Sequence, residues 1–444
     1  AILFEGKEQK FGRISDSVKA GIAIIYQELA LFPDLTVYEN LFVGNEIGNG
    51  TLVDWNRTIV EAKKILEKVN LNINPEILVK DLGVGHRQLI EIAKALSKDV
   101  KLLILDEPTA ALNEHDSENL LNLLRELKKE GITCILISHK LKEVISVADS
   151  ITVLRDGETI CTLDAEKDEI NEAVIIKAMV GREIQDIYPK RNNPSFGERI
   201  FELRNWSGYD PKLGRYVVKN VNLHVRKGEI VGIAGLMGSG RTELALSIFG
   251  NAKNYKISGD MFFEGERKRF HHPQEAIRSG LAYVTEDRKG NGLFLIQDIK
   301  SNLTIANLKE ISNRGIVNQN EEIKVSGQYK ESLVIKAPTL EHLTGNLSGG
   351  NQQKVSLGKW LFVKPSLLIL DEPTRGIDVG AKYEIYTVMN RLIEEGLSII
   401  MISSELGEIL GMSDRIYVMA KGEIKGELNA KEADQEKIMQ LATD

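Results

Sequence analysis

The sequence predicts an α/β protein built as two tandem copies of one domain, and three observations carry that expectation. Long strings recur: ILFEGKEQKF near the start returns as MFFEGERKRF from Met261, with Glu5-Gly6 matching Glu264-Gly265 at an offset of 259. LLILDEPTAALN (Leu102 to Asn113) returns as LLILDEPTRGID (Leu367 to Asp378) at an offset of 265, which persists through ADSITVLRDGE and SDRIYVMAKGE. Agreement over most of each half marks duplicated domains and not stacked short repeats, whose period is about 20 to 50 residues. Within each copy, short apolar runs alternate with helical periodicity, the pattern of a largely parallel sheet covered by helices. The 444 residues are enough to bury two or three separate cores.

Taken in order, Ile2 to Phe4 followed by Glu5-Gly6 reads as the end of a strand and its turn, so the chain is expected to start in mid-strand. GIAIIY is a strand ending at Gln27; Leu89, Ile92, Ala93 and Leu96 mark one helix face. Leu102 to Leu105, Ile132 to Ile137 and Ile151 to Leu154 are expected as buried strands. Residues 1–165 form the first domain, the polar, turn-rich stretch 166–196 is a linker, and 197–444 form the second domain. The internal offset places Ala1 opposite Asp260, so residues from about Gly197 to Gly259 have no counterpart in the first copy. They contain GLMGSGRT, and an N-terminal truncation that removes the first copy's equivalent loop is the expectation.

Composition narrows the function. Lys plus Arg number 57 against 64 Asp plus Glu, a formal charge of −7, which gives no general attraction to a nucleic acid backbone. Cys134 and Cys161 have neither metal-ligand spacing nor company and read as packing residues of a reducing compartment. No run of 18 apolar residues appears, and AILFEGKEQK lacks the order of a signal peptide, so a cytoplasmic location is expected.

Three stretches carry chemistry. GLMGSGRTE fits the phosphate-loop template G-x-x-x-x-G-K-[ST] through Gly235, Gly240 and Thr242, with Gly238 and Ser239 inside the loop and Arg241 in the lysine slot. LLIL ending in Asp106-Glu107, and again in Asp371-Glu372, puts two carboxylates at a parallel strand's carboxyl end, where such sheets place ligands. The first acid suits Mg²⁺, with Thr242 as its partner in the second copy; the second acid suits an attacking water. LSGGNQQ offers Leu347, the Ser348 hydroxyl, the Gly349 and Gly350 amides and Gln352 at a helix N-terminus, a cradle for phosphate oxygens.

Phosphate loop, LSGGQ-like signature, acidic strand end and a downstream ISH together resemble the ATP-binding cassette ATPases, over nearly the whole chain. The resemblance implies two tandem cassettes of the P-loop NTPase fold, each with a mostly parallel sheet and a helical subdomain, that bind ATP and Mg²⁺. In the first copy it assigns Gln27 to the Q-loop and the metal, Asp106 to the metal, and Glu107 and His139 to catalysis; its signature LGVGHRQ has Gly83 for serine and an intrusive Val84. In the second copy the signature is intact, but Arg241 replaces lysine, Glu286 replaces the Q-loop glutamine and Ser404 the switch histidine. His139 by itself fits a packed or capping histidine better, an order that its place about 30 residues after DEPT reverses, and Tyr216 fits a packed strand tyrosine better than an adenine-stacking one.

In the family two cassettes pack head to tail, so the two halves would form a pseudo-dimer. One composite site would join Gln27, Asp106, Glu107 and His139 to Ser348, Gly349 and Gly350. The other would join Arg241, Glu286, Asp371, Glu372 and Ser404 to LGVGH, collecting every departure from the family pattern. That second site is expected to bind nucleotide and turn it over slowly, because arginine's wide planar fork does not fill the slot of a compact ammonium. The truncated chain alone is expected to hydrolyse little ATP.

GLMGSGRTEL, LSGGNQQKVSLGKWL, DEPTRGIDVGAK and MVGREIQDIYP resemble the double-cassette ATPases of bacterial monosaccharide importers of the ribose, galactose and xylose type. The resemblance implies docking beneath two membrane-spanning permease subunits at the cytoplasmic face, an external sugar-binding protein, and no nucleic acid. Phe32 and Pro33 are candidates for the permease contact, with packing inside the domain an equal alternative. A nucleoside-importer ATPase, a soluble tandem-cassette factor acting on the ribosome and a nonhydrolytic scaffold remain the other readings.

Overall fold

Fully apolar five-residue runs are stable only between two covering layers, and the second half of the chain supplies both. The computed structural model describes residues 1–444 except 27–28, 50–51, 110–111, 113, 139, 156, 181–186, 192–194 and 444, together with all side chains of those residues but 114, 115 and 180. It divides into two units, Ala1–Glu183 and Ile184–Asp444.

In the second unit a six-stranded sheet runs in the order Leu281–Val284, Leu367–Asp371, Ser398–Ile402, Ile230–Ala234, Arg415–Ala420, Glu423–Asn429. Its strands are parallel except for the last, which closes an antiparallel hairpin. One face carries Leu368, Leu370, Ile399 and Met401 against the helices Gly349–Leu361 and Val379–Glu394. The other carries Leu367, Ile369, Ile400 and Ile402 against Phe201, Trp206, Phe249 and Phe263, supplied largely by the antiparallel strands Arg199–Asp210 and Lys256–Phe263. Side chains alternate between the faces along each strand, so every residue of the three inner runs is buried.

The first unit repeats part of this plan. Ile22–Ile25, Leu102–Asp106 and Thr133–Ile137 form a parallel sheet with the acidic strand in the middle. Ile25, Leu103 and Leu105 pack on the helix Val84–Leu96 through Ile92, Ala93 and Leu96, the face that periodicity marks, and on Glu114–Lys129. The expectation of buried strands holds for this face and for Ile151 and Val153 of the separate hairpin of Ser150–Arg155 and Glu158–Asp164. On the other face of the sheet Ile24, Ile135 and Ile137 are 44, 47 and 48 % exposed, and Leu154 of the hairpin is 65 % exposed. Their counterparts Tyr283, Ile400, Ile402 and Met419 lie in the core that includes Phe201, Trp206 and Phe263, and that covering layer comes largely from residues with no counterpart in the first half.

Local signals were faithful. The turns Glu5-Gly6 and Glu264-Gly265 both take positive φ at both positions, and Thr36 caps the helix Val37–Phe42 in a capping box with Glu39. Within 166–196, the helix Glu172–Val180 seats Ile175 in the core of the first unit. Ile187 and Tyr188 pack on the second unit, where Asn390 Nδ2 donates to the Pro189 carbonyl at 2.5 Å and Arg191 pairs with Asp414 at 2.5 Å.

Candidate functional site

The strand Ile230–Ala234 runs into the glycine loop and then the helix Arg241–Ile248. Gly235 has no room for a side chain: a Cβ there would lie 2.3 Å from the Met419 carbonyl oxygen and 2.7 Å from Ser239 Oγ. Ser239 Oγ is buried with no hydrogen-bond partner. A loop tight enough to exclude Cβ atoms, holding an unsatisfied hydroxyl at a helix start, is built for a phosphate.

One strand away, Asp371 ends the run Leu367–Asp371 and is 0 % exposed. The Tyr283 hydroxyl donates to its Oδ2 at 2.9 Å, Thr242 lies beside the carboxylate, and Oδ1 has no partner. Burial pushes its pKa up to about 6. A buried carboxylate with one orphan oxygen beside a threonine fits a divalent cation, which would satisfy both deficits.

The next residue sits in an unusual backbone conformation in both units: Glu107 has φ +46° and Glu372 has φ +48°. Each amide donates to the end of the neighbouring strand, Glu107 N to the Ile137 carbonyl at 2.9 Å and Glu372 N to the Ile402 carbonyl at 2.8 Å. A left-handed glutamate costs about 1–3 kcal/mol, and such strain concentrates where side-chain placement matters to function.

In the second unit that glutamate is already engaged. Arg241 Nη2 lies 3.5 Å from Glu372 Oε1, Nη1 donates to the Ser403 carbonyl at 2.6 Å, and the Ser404 hydroxyl donates to Glu372 Oε2 at 3.0 Å. The Arg241 and Glu372 side chains are only 9 and 10 % exposed, and burial is the first cause lowering the arginine's pKa. Arg241, Thr242, Asp371, Glu372 and Ser404 are therefore gathered at one place. Glu286 joins an ion pair with Arg375, so its charge is compensated inside the unit. Arg375 was missed, although the signal was present: glutamine and alanine in the first copy become glutamate and arginine in the second.

The signature opens the helix Gly349–Leu361 with Ser348 at its N-cap, where Asn351 Nδ2 donates to Ser348 Oγ at 2.9 Å. Leu347 is buried in the core, and Gln352, 4 % exposed, turns inward to the Thr344 and Gly345 carbonyls at 3.3 and 3.4 Å. Both nominated side chains thus point into the domain, and Gly350 is buried against Ala381, which leaves Ser348 and Gly349 as the accessible part of the cradle. In the first unit Gly83 caps the helix Val84–Leu96 with the same extended backbone, without a hydroxyl, and Val84 is 45 % exposed. Gln27 and His139 lie outside the described residues. Asp106 ends its strand as expected.

Tyr216 is half exposed and meets Tyr209 edge-on, at 5.2 Å between ring centroids. Phe32 is also half exposed, its amide held by Asn40 Oδ1 at 2.8 Å; Phe294 repeats this in the second unit, held by Asn302 Oδ1 at 2.8 Å. Lys94 Nζ lies over the Phe32 ring, 5.9 Å from its centroid.

A parallel sheet with a glycine loop opening one helix, and an Asp-Glu pair one strand away, defines a P-loop nucleotide-binding cassette. Residues 1–110 and 218–375 match the sequence model described as ABC transporter, and the chain belongs to that family. It is 57 % identical over 443 residues to the L-arabinose transport ATP-binding protein of Geobacillus stearothermophilus, covering 100 % of this chain and 86 % of that protein. Against the xylose import ATP-binding protein of Thermoanaerobacter pseudethanolicus the identity is 51 %, covering 100 % and 87 %. Against the ribose import ATP-binding protein of Bacillus subtilis it is 43 %, covering 100 % and 88 %.

Proposed function

We propose that the chain is the ATP-binding and ATP-hydrolysing subunit that energises uptake of a monosaccharide through an ABC importer. Its relatives are named for the transport or import of L-arabinose, xylose and ribose. It works at the cytoplasmic face of the membrane beneath two permease subunits, fed from outside by a sugar-binding protein; among the described residues no helix is long and apolar enough to cross the membrane itself. The exposed phenylalanines Phe32 and Phe294, each fixed by an asparagine, support a docking edge repeated in both units.

The two nucleotide sites differ in task. Turnover belongs to the first cassette through Asp106 and Glu107, with Gln27 and His139 as its further candidates, while the site of Arg241, Glu286, Asp371, Glu372 and Ser404 retains nucleotide. The observation that carries this is that both Glu372 oxygens are engaged, by Arg241 and by Ser404. A carboxylate whose two oxygens already face a guanidinium and a hydroxyl is not turned toward a water, and freeing it would leave Arg241 buried without its acid. Glu107 is the residue that orients the water and draws its proton, with His139 beside the phosphate. Mg²⁺ would be held by Asp106 and Gln27 in one site and by Asp371 and Thr242 in the other, where it neutralises phosphate charge.

The test is sugar-stimulated ATPase of the importer reconstituted in vesicles. Glu107→Gln is expected to reduce turnover more than about 100-fold, the scale of a lost general base, and Glu372→Gln less than about threefold. Equal losses would refute the division of labour; ATPase indifferent to permease and sugar would refute transport.

A further inference from the structure

The two copies differ in length just after the position of Gln27 and Glu286. Seven residues lead from Ile25 to Phe32, but ten from Val284 to Phe294, although both phenylalanines are held by the same asparagine contact. The longer path contains a single π-helical turn, Arg288–Gly292, with Asp287 as its cap. Such turns are rare and concentrate at functional sites.

This turn is bound to the signature helix. Arg288 Nη1 donates to Gln353 Oε1 at 3.3 Å, and Nη2 lies 3.2 Å from where a Gly349 Cβ would stand, so the guanidinium lies against the first residue of the helix. The Gly376 carbonyl oxygen lies 2.9 Å from the same point, closing the other side. Farther along, Lys359 Nζ donates to the Gly292 carbonyl, and Glu286 is tied to Arg375 next to Gly376.

Arg288 is unlike the other cations of this region. Its Nε is buried with no partner, no carboxylate pairs with it among the described residues, and burial alone lowers its pKa. An unpaired guanidinium beside a helix N-terminus puts like charges together, and an anion at that point relieves both.

We propose that Arg288 is a positioning residue for ATP hydrolysis: it fixes Ser348 and the Gly349 amide against the phosphates of a nucleoside triphosphate, and joins that cradle to the exposed segment that begins at Phe294. The inference rests on the reading that the chain hydrolyses ATP. It makes the docking edge and the phosphate cradle two ends of one short rigid path, about 60 residues apart in sequence.

The experiment uses the full-length chain assembled with its permease. Arg288→Met, which keeps the stem and removes the charge, is expected to lower sugar-stimulated kcat at least about tenfold while KM for ATP stays within about threefold; Arg288→Lys recovers kcat to within about threefold of the parent. In a Glu107→Gln background, ATP should protect the amides of Ser348 to Gln352 from hydrogen exchange in the parent and in Arg288→Lys, but not in Arg288→Met. Parental kcat and protection in Arg288→Met would overturn the inference, as would equal losses in Met and Lys variants tracking a lowered Tm. If Arg288→Met does not fold, Gln353→Leu tests the same contact: kcat lowered at least about threefold supports the role, and unchanged kcat overturns it. Absence of ATP turnover in the parent removes that reading and this inference with it; turnover present in the parent and kept in Arg288→Met removes the inference alone.

Discussion

Replacing Glu408 by glutamine should stabilise the second unit at alkaline pH and leave it unchanged at acid pH. Glu408 lies on the helix Leu406–Met412, just beyond Ser404, and is 0 % exposed. The Thr374 hydroxyl donates to its Oε1 at 3.0 Å, while Oε2 is buried without a hydrogen-bond partner. The groups facing it are the Ser403 and Thr374 hydroxyls, the Tyr386 ring, the Glu405 carboxylate and Lys382, whose ammonium pairs with Glu405 at 2.5 Å. Burial, helped by the charge of Glu405, pushes Glu408 from 4.5 up to about 7.

The folded unit therefore holds this proton more tightly than the unfolded chain does. That contribution is complete below pH 4.5 and is lost as pH rises through about 7. The difference between the two values corresponds to about 3 kcal/mol, which at pH 8 penalises glutamate and not glutamine. Thermal unfolding followed by tryptophan fluorescence should place Glu408→Gln about 6–10 °C above the parent at pH 8 and level with it at about pH 4. A difference independent of pH, or a loss at pH 8, would refute the reasoning. The first unit supplies a contrast: Glu143 accepts from Thr109 at 2.6 Å and pairs with Lys140 at 3.2 Å. Glu143→Gln should cost about 0.5–1 kcal/mol there, the opposite sign.

Gly411→Ala would set a Cβ 2.2 Å from Tyr188 Cγ, and should lower the stability of the second unit by about 1–3 kcal/mol in urea unfolding; a neutral result would mean that Tyr188 does not pack there in solution. Gly235→Ala drives a Cβ into the Met419 carbonyl, and a fluorescent ATP analogue should bind the second phosphate loop at least about tenfold more weakly. Unchanged affinity would show that the loop opens freely.

The duplication, the parallel sheet, the phosphate loop, the acidic strand ends and the signature were legible because each is written in consecutive residues. Helix faces such as Ile92, Ala93 and Leu96 were legible for the same reason, a period set by backbone geometry. The burial of the first unit's strands was legible by half. An apolar run in a strand states that both faces favour cover, and only the fold shows whether a layer lies on each; Ile135 and Ile137 are as apolar as Ile400 and Ile402 yet remain exposed.

The sequence alone determined that there are two cassettes and that the second departs from the pattern at Arg241, Glu286 and Ser404. What those departures do was decided by tertiary structure. Arg241 meets Glu372 across 131 positions, and Arg375 meets Glu286 across 89. Leu347 and Gln352 turn inward although they stand in the signature itself. The physical reason is that a charge or an amide acts on whatever lies within a few ångströms of it. For residues so far apart along the chain, that neighbour is chosen by the packing of strands and helices and not by the residues on either side.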